Sequence, residues 1–291
     1  MGVRYLRSTM LVTGLLLVAA GAAAAQKCPD TDYDCQVGGY NARIKANLKD
    51  FEAYYGLARA LQNKGDYLAS IAPLDTYITS GAPKTEYLVD GYNLRGFARH
   101  KIAQYELAVK DFTTAIQLFP TAVSYYDRGK SYASLKSYDL AITDHTKAIS
   151  LDPKYTLAYF SRGFAYMEQK NNQPAIADFT KVIALDPQES EAYYNRGTIY
   201  YRQGNYALAI ADLDRYIDLN RSAAGLMADG YLNRGLAHYY AGNATKAVDD
   251  YTRAIELAPR MKNAYTNRAT AYRKLGKIAL AQADEKMAAT L

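Results

Sequence analysis

Apolar positions recur along this chain in pairs of short helical blocks. Between Ser190 and Ile217, a first block places Tyr193, Gly197 and Tyr200 three to four residues apart on one face. After Gly204-Asn205 a second runs through Tyr206, Ala209, Ile210, Leu213 and Ile217. Each spacing is that of an amphipathic helix with one buried stripe, so the two blocks predict a helical hairpin broken at glycine. The hairpin repeats: Tyr54, Tyr92, Tyr125, Tyr159, Tyr193, Tyr231 and Tyr265 fall at intervals of 33, 34 or 38 residues, most followed by Arg and Gly three and four places on. A period near 34 marks an array whose units bury their apolar faces only by stacking on their neighbours.

Small residues stand where the two helices of a hairpin must touch. They are Gly96, Gly129, Gly163, Gly197 and Gly235 on first helices, and Ala108, Ala141, Ala175, Ala209 and Ala247 on second helices. Larger side chains there would drive the helices apart. Pro120, Pro153, Pro187 and Pro259 close second helices, because proline lacks the amide that would continue them. This alternation of aromatic and small residues with a closing proline resembles the tetratricopeptide repeat family. Tyrosine replaces the family's usual tryptophan, in keeping with 29 Tyr and no Trp. The resemblance covers residues 51–291, with units at 51–88, 89–121, 122–155, 156–189, 190–227, 228–261 and 262–291. It implies an all-α solenoid of helix-turn-helix units forming a right-handed superhelix, with the first helices lining a concave groove.

The N-terminal segment follows other rules. Arg4 and Arg7, an apolar stretch from Met10 to Ala20 and the small run Ala22 to Ala25 predict a secretory signal peptide over 1–25, with Gln26 as the new N-terminus. A retained N-terminal anchor is the alternative. Export places the only two cysteines, Cys28 and Cys35, in an oxidising compartment, so a short disulfide loop is expected, against the alternative of free or intermolecular thiols. Residues 26–50 then comprise this loop and a capping half repeat over 36–50, in which Tyr40, Ile44 and Leu48 continue the spacing of a second helix. At the other end Glu285 stands where earlier units carry Phe112, Phe179 or Tyr251, giving the last unit a polar outer face.

Charge narrows the partners. The formal +6 falls to +4 without Arg4 and Arg7, and the signs are interspersed without a basic run, so neither nucleic acid nor anionic lipid is implied. No stable membrane insertion is expected after signal cleavage. The charges carry a period of their own. Arg95, Arg128, Arg162, Arg196, Arg234 and Arg268 share one position of the first helix, and Asp111, Asp144, Asp178, Asp212, Asp250 and Asp284 follow each by 16 residues. The first unit has Leu57 and Pro73 at these places. Both partners are lost together, which predicts a structural ion pair inside each unit.

A longer duplication is superimposed. Leu74 to Ile78, a four-residue insertion and Asp90-Gly91-Tyr92 match Leu213 to Ile217, an equal insertion and Asp229-Gly230-Tyr231 at an offset of 139. Tyr77 and Tyr216 replace a small residue there, so the next first helix is expected to be displaced or lengthened by about one turn.

Chemistry does not recur with the frame. His100, His145 and His238 are scattered without metal-ligand spacing, and there is no Gly-rich phosphate loop or haem-attachment motif. No metal, no cofactor and no enzymatic turnover are expected. What remains is the groove, where Tyr55, Asn93, Tyr126, Phe160, Tyr194 and Leu232 follow the frame tyrosines and His100, Met167, Tyr201, Tyr239 and Arg273 form the next row. Asn195, Asn233 and Asn267 add a column of amides able to donate to and accept from a backbone. The lysine-and-asparagine clamp of chaperone-tail-binding family members is absent, with Tyr55, Arg59, Leu94, Val123 and Asp127 in its place. The expected function is a non-enzymatic scaffold or adaptor of the bacterial cell envelope, periplasmic or secreted. It would bind an extended peptide or protein segment through Phe160, Tyr194, Asn195, Tyr201, Asn233 and Tyr239. The alternative is carbohydrate or cell-wall glycan stacked on the groove tyrosines; a third reading leaves the aromatics as mere composition and the groove solvated.

Overall fold

The computed structural model describes residues 28–80 and 84–291; the leader and the Gln26 terminus lie outside the described residues. Among those residues there are fifteen α-helices and no strand. After α1 (Tyr33–Ala46) come seven hairpins: α2 (Phe51–Lys64) with α3 (Ile71–Thr79), α4 (Thr85–Lys101) with α5 (Tyr105–Leu118), α6 (Ala122–Ser134) with α7 (Tyr138–Leu151), and α8 (Thr156–Glu168) with α9 (Asn172–Leu185). The last three are α10 (Ser190–Arg202) with α11 (Tyr206–Leu219), α12 (Ala224–Tyr240) with α13 (Ala244–Leu257), and α14 (Lys262–Lys274) with α15 (Ile278–Thr290).

Local chemistry sets the ends of these helices. Helices α5, α7, α9 and α13 each stop two residues before a proline, and the intervening Phe119, Asp152, Asp186 and Ala258 are pushed out of the helical region, as the residue before a proline must be. The turn inside every hairpin needs one left-handed residue. Glycine supplies it in four hairpins, but Ala103, Lys136 and Lys170 adopt it at φ near +60°, where a side chain costs about 1–2 kcal/mol. Three consecutive units therefore hold their turns against local preference, through the packing around them.

Within each hairpin the glycine of the first helix lets a large second-helix residue lie close. A methyl added to Gly96 would come 2.9 Å from the Phe112 ring, and one added to Gly129 would come 2.7 Å from His145. Phe112, His145, Phe179, Leu213 and Tyr251 occupy this position and are fully or almost fully buried.

The two insertions lengthen helices and leave the loops short. Helices α4 and α12 have 17 residues where α6, α8, α10 and α14 have 13. They begin at Thr85 and Ala224, four residues ahead of the unit starts read from the sequence at 89 and 228. No proline ends the preceding α3 or α11, the rings of Tyr77 and Tyr216 are buried, and the Tyr77 hydroxyl donates to the Tyr87 carbonyl in the added turn at 3.2 Å. The bulk of the two rings is taken up opposite by Gly91 and Gly230, where other units carry Ser124, Ala158, Ala192 and Ala264. A methyl on either glycine would come 2.9 Å from the tyrosine ring.

The arginines tie the array together. Arg128, Arg162, Arg196, Arg234 and Arg268 each donate through Nε and Nη2 to both oxygens of the aspartate 16 residues on, within their own hairpin. Arg95 does the same with Asp111, which also accepts from Arg99 at 2.8 Å. The third nitrogen, Nη1, reaches back to the preceding hairpin. It finds Thr113, Thr146, Thr180 or Thr252 at 2.9–3.1 Å, and at the two lengthened junctions it finds a carboxylate, Asp75 or Asp214. Every one of these guanidinium groups also lies 5.1–5.9 Å from the ring of its frame tyrosine. One side chain thus binds three helices.

The ends close differently. Cys28 and Cys35 are joined in a disulfide that fastens the chain to the start of α1. Helix α1 covers α2 with Tyr40, whose ring fills the space above Gly56. At the far end Glu285 leaves the core pattern and pairs with Arg273 at 2.8 Å.

A double-mutant cycle on Arg196 and Asp212 should show coupling of roughly 0.5–3 kcal/mol by denaturant unfolding. Arg196 to Thr180, across the unit boundary, should couple more weakly. Additive losses for Arg196 and Asp212, or stronger coupling to Thr180, would overturn this ordering.

Candidate functional site

Consecutive first helices touch one another, α2 with α4, α4 with α6, and so on to α12 with α14, whereas among the described residues consecutive second helices do not. The first helices therefore form the inner wall of a curved array. The residues after the frame tyrosines lie on this wall but lean onto the second helix of their own hairpin. Phe160 meets Phe179 edge-on at 5.6 Å, Tyr194 lies 4.9 Å from Tyr216, and Tyr55 lies 5.3 Å from Tyr77. Tyr126 is only 8% exposed, against His145 and Tyr155. These rings are half core. The open apolar side chains on the first helices include Val123, Leu157 and Phe164, exposed by 41–49%, and Tyr87 at 46%.

The asparagine column is partly committed. Asn233 donates through Nδ2 to the Tyr194 hydroxyl at 3.1 Å and to the Asp229 carbonyl at 2.9 Å. Both amide hydrogens are spent, so Asn233 can offer a ligand only its Oδ1 as acceptor. Asn195 and Asn267 are half-buried on the same wall. Tyr201 and Tyr239 join a cluster with Tyr206, the first residue of α11, and Tyr240, the last residue of α12 and outside the periodic rows. Tyr206 and Tyr240 stack 6.2 Å apart, Tyr201 lies 5.8 Å from Tyr240, and Tyr239 meets Tyr240 edge-on at 5.3 Å. Lys274 places its ammonium 4.6 Å from the Tyr239 ring centroid, and Tyr240 is 55% exposed.

Burial dominates the electrostatics. It pushes the Asp127 carboxyl up to about 6, against the opposing pull of Lys130 and Lys101, and raises Glu189, Glu191 and Asp229 as well. His100 is lowered to about 4 by burial and by the same two lysines, with Nδ1 3.0 Å from Ser131 Oγ. His145 is lowered to about 3 by burial first and then by Arg162 and Lys130, and neither of its ring nitrogens has a hydrogen-bond partner. The three histidines lie in different hairpins, and among the described residues no group of His, Cys, Asp and Glu is arranged to hold a metal. No helix among these residues is long and apolar enough to cross a membrane.

His145 yields a pH prediction. It is neutral in the fold, while the unfolded chain protonates it below about pH 6.5. Its contribution is thus fully present above that pH and is lost as pH falls from about 6.5 toward 3. By linkage it should cost about 2 kcal/mol at pH 5. His145→Phe, which installs the residue found at Phe112 and Phe179, should raise the melting temperature at pH 7 and flatten its fall between pH 7 and 5. A lower melting temperature for the variant, with the slope unchanged, would refute the account.

Known proteins resemble both the sequence and the shape. Family models described as tetratricopeptide repeat match residues 162–229 and 228–261, and one described as TPR repeat matches 129–170. No curated protein matches the chain. Among solved structures, that of MamA is similar with 29% identity over 57% of this chain and 89% of its own, at a TM-score of 0.54. A tetratricopeptide repeat protein from Parabacteroides merdae ATCC 43184 shares the fold at 18% identity, covering 82% of this chain and 92% of its own, with a TM-score of 0.60. YrrB, described as a TPR protein with an unusual peptide-binding site, shares it at 22% identity over 70% and 97%, with a TM-score of 0.53.

Proposed function

Because the chain belongs to the tetratricopeptide repeat family, we propose that it is a non-enzymatic scaffold or adaptor of the bacterial cell envelope, holding an extended peptide or protein segment against the inner wall of its first helices. The observation that carries this reading is the strip of open apolar and aromatic surface on that wall. It runs from Val123, Leu157 and Phe164 in the third and fourth hairpins to the Tyr201, Tyr239 and Tyr240 cluster in the fifth and sixth. A strip of this kind, edged by polar groups, suits a protein partner. Phe160, Tyr194, Tyr201 and Tyr239 supply the aromatic area, and Asn195 with the Oδ1 of Asn233 supplies contacts to the partner's main chain. That a similar fold, YrrB, is described as having a peptide-binding site supports the assignment.

The experiment is capture of a partner from envelope extract by the processed chain, followed by affinity measurement on variants. Phe164→Ala, Asn195→Ala and Tyr201→Ala should each weaken capture by more than about 1 kcal/mol with little change in melting. Lys181→Ala, on exposed α9 surface, should leave capture intact. The glycan reading rests on the hydroxyl-bearing ring cluster at Tyr240 and would be favoured if Tyr240→Ala abolished binding while Asn195→Ala had no effect.

Export is the second part of the proposal, supported by the Cys28–Cys35 disulfide and the leader sequence. Mass spectrometry of an envelope fraction should find a chain starting at or near Gln26 with these cysteines joined. An intact chain with reduced thiols in the cytoplasm would end this part of the proposal.

A further inference from the structure

One side-chain constellation occurs twice on the inner wall at the offset of 139 residues. Glu52, Tyr55, Tyr77 and Asp90 in the first copy correspond to Glu191, Tyr194, Tyr216 and Asp229 in the second. The two tyrosine rings of each copy are in tilted contact, at 5.3 Å and 4.9 Å. The inner ring, Tyr77 or Tyr216, is buried, so only the half-buried Tyr55 or Tyr194 presents a surface to the groove. The carboxylates bear on that ring. Beyond burial itself, Asp90 pushes the Tyr55 phenol up, and Asp229 and Glu191 push up that of Tyr194. An aromatic face beside carboxylates is a place for a cation.

In the first copy the chain provides the cation: the Arg59 guanidinium lies 5.8 Å from the Tyr55 ring centroid. At the same place in the second copy stands Thr198, which carries no charge and whose hydroxyl is buried without a hydrogen-bond partner. Neither Glu191 nor Asp229 is in an ion pair among the described residues. Of the charged groups that bear on Tyr194, the only cation is Arg202, exposed and the weakest influence. The two copies thus share the ring pair and its carboxylates, one with a cation and one without, and differ in that Asn233, at the place of Leu94, donates to the Tyr194 hydroxyl.

We propose that Tyr194, Glu191 and Asp229 form a recognition site for a basic side chain, arginine or lysine, of the segment held in the groove, and that the Tyr55 site is the same site closed by the chain's own Arg59. The proposal rests on the reading of the inner wall as a peptide site. Arginine fits it better than lysine, since a planar guanidinium can lie over the ring while its edges donate to the two carboxylates.

The test is selection from a displayed library of random dodecapeptides on the full processed chain. Recovered peptides should be enriched in arginine or lysine at one position, and replacing that residue with alanine should weaken binding about tenfold, a 1.4 kcal/mol effect. The Glu191→Gln/Asp229→Asn double variant should still recover peptides but without the basic preference. Thr198→Arg, which reproduces the self-occupied first copy, should lose the preference too, with an unchanged melting curve. Peptides recovered without basic enrichment, or a preference that survives both variants, would overturn the site and leave the groove reading standing. Recovery of no peptide at all would overturn both.

Discussion

A guanidinium group is flat, permanently charged and has five N–H donors at fixed angles, and the array depends on spending them in the same way six times. One edge of each arginine, Nε and Nη2, closes a fork on the aspartate of its own hairpin, Nη1 reaches the hairpin before, and the group neighbours the frame tyrosine. The aspartates are buried, and a buried carboxylate is tolerable only when its partner is held in good geometry. That requirement fixes the distance between the helices of a hairpin and, through the third nitrogen, the placement of one hairpin on the next. Where the first hairpin has Leu57 and Pro73, it has no internal fork, yet its Asp75 still receives Arg95.

Most of the fold was legible because the forces that make it are local and repeated. The glycine and alanine columns and the arginine and aspartate frame recur in most units, the terminating prolines in four of seven, and a column is evidence of shared geometry. The third arm of the arginine was missed although its signal was present. Thr113, Thr146, Thr180 and Thr252 stand two residues after an aspartate of the frame, with Asp214 in the same column, but threonine on a helix announces nothing by itself. The lengthening of α4 and α12 was one of two outcomes expected for the insertions. A frame aligned on tyrosine and glycine cannot tell whether four inserted residues enter the loop or the helix.

The inner wall was less legible. The family resemblance implies a groove position for Phe160 and Tyr194, but it does not tell that their rings tilt onto Phe179 and Tyr216. Nor could it tell that Asn233 spends its amide hydrogens on Tyr194 and Asp229. The contacts between helices join residues 19, 22 and 39 positions apart and depend on how the helices cross and on side-chain direction as well as position. Tyr206 opens α11 and Tyr240 closes α12, and the period of one hairpin does not tell that the ring at the start of a second helix stacks on the ring at the end of the next first helix. His145 stands in the column of Phe112, Phe179 and Tyr251, but its unpaired nitrogens are seen only in the structure.

The lengthened helices have a consequence for how such an array can change. Four added residues bring the chain into α4 and α12 about 40° beyond a full turn from where it enters their shorter counterparts, so the approach from the preceding helix is nearly preserved. Two added residues would bring it in from about the opposite side, and the third arm of Arg95 or Arg234 would then point away from its carboxylate. Length in this protein is therefore quantised: the array accepts a whole helical turn as a unit of insertion and resists any fraction of one.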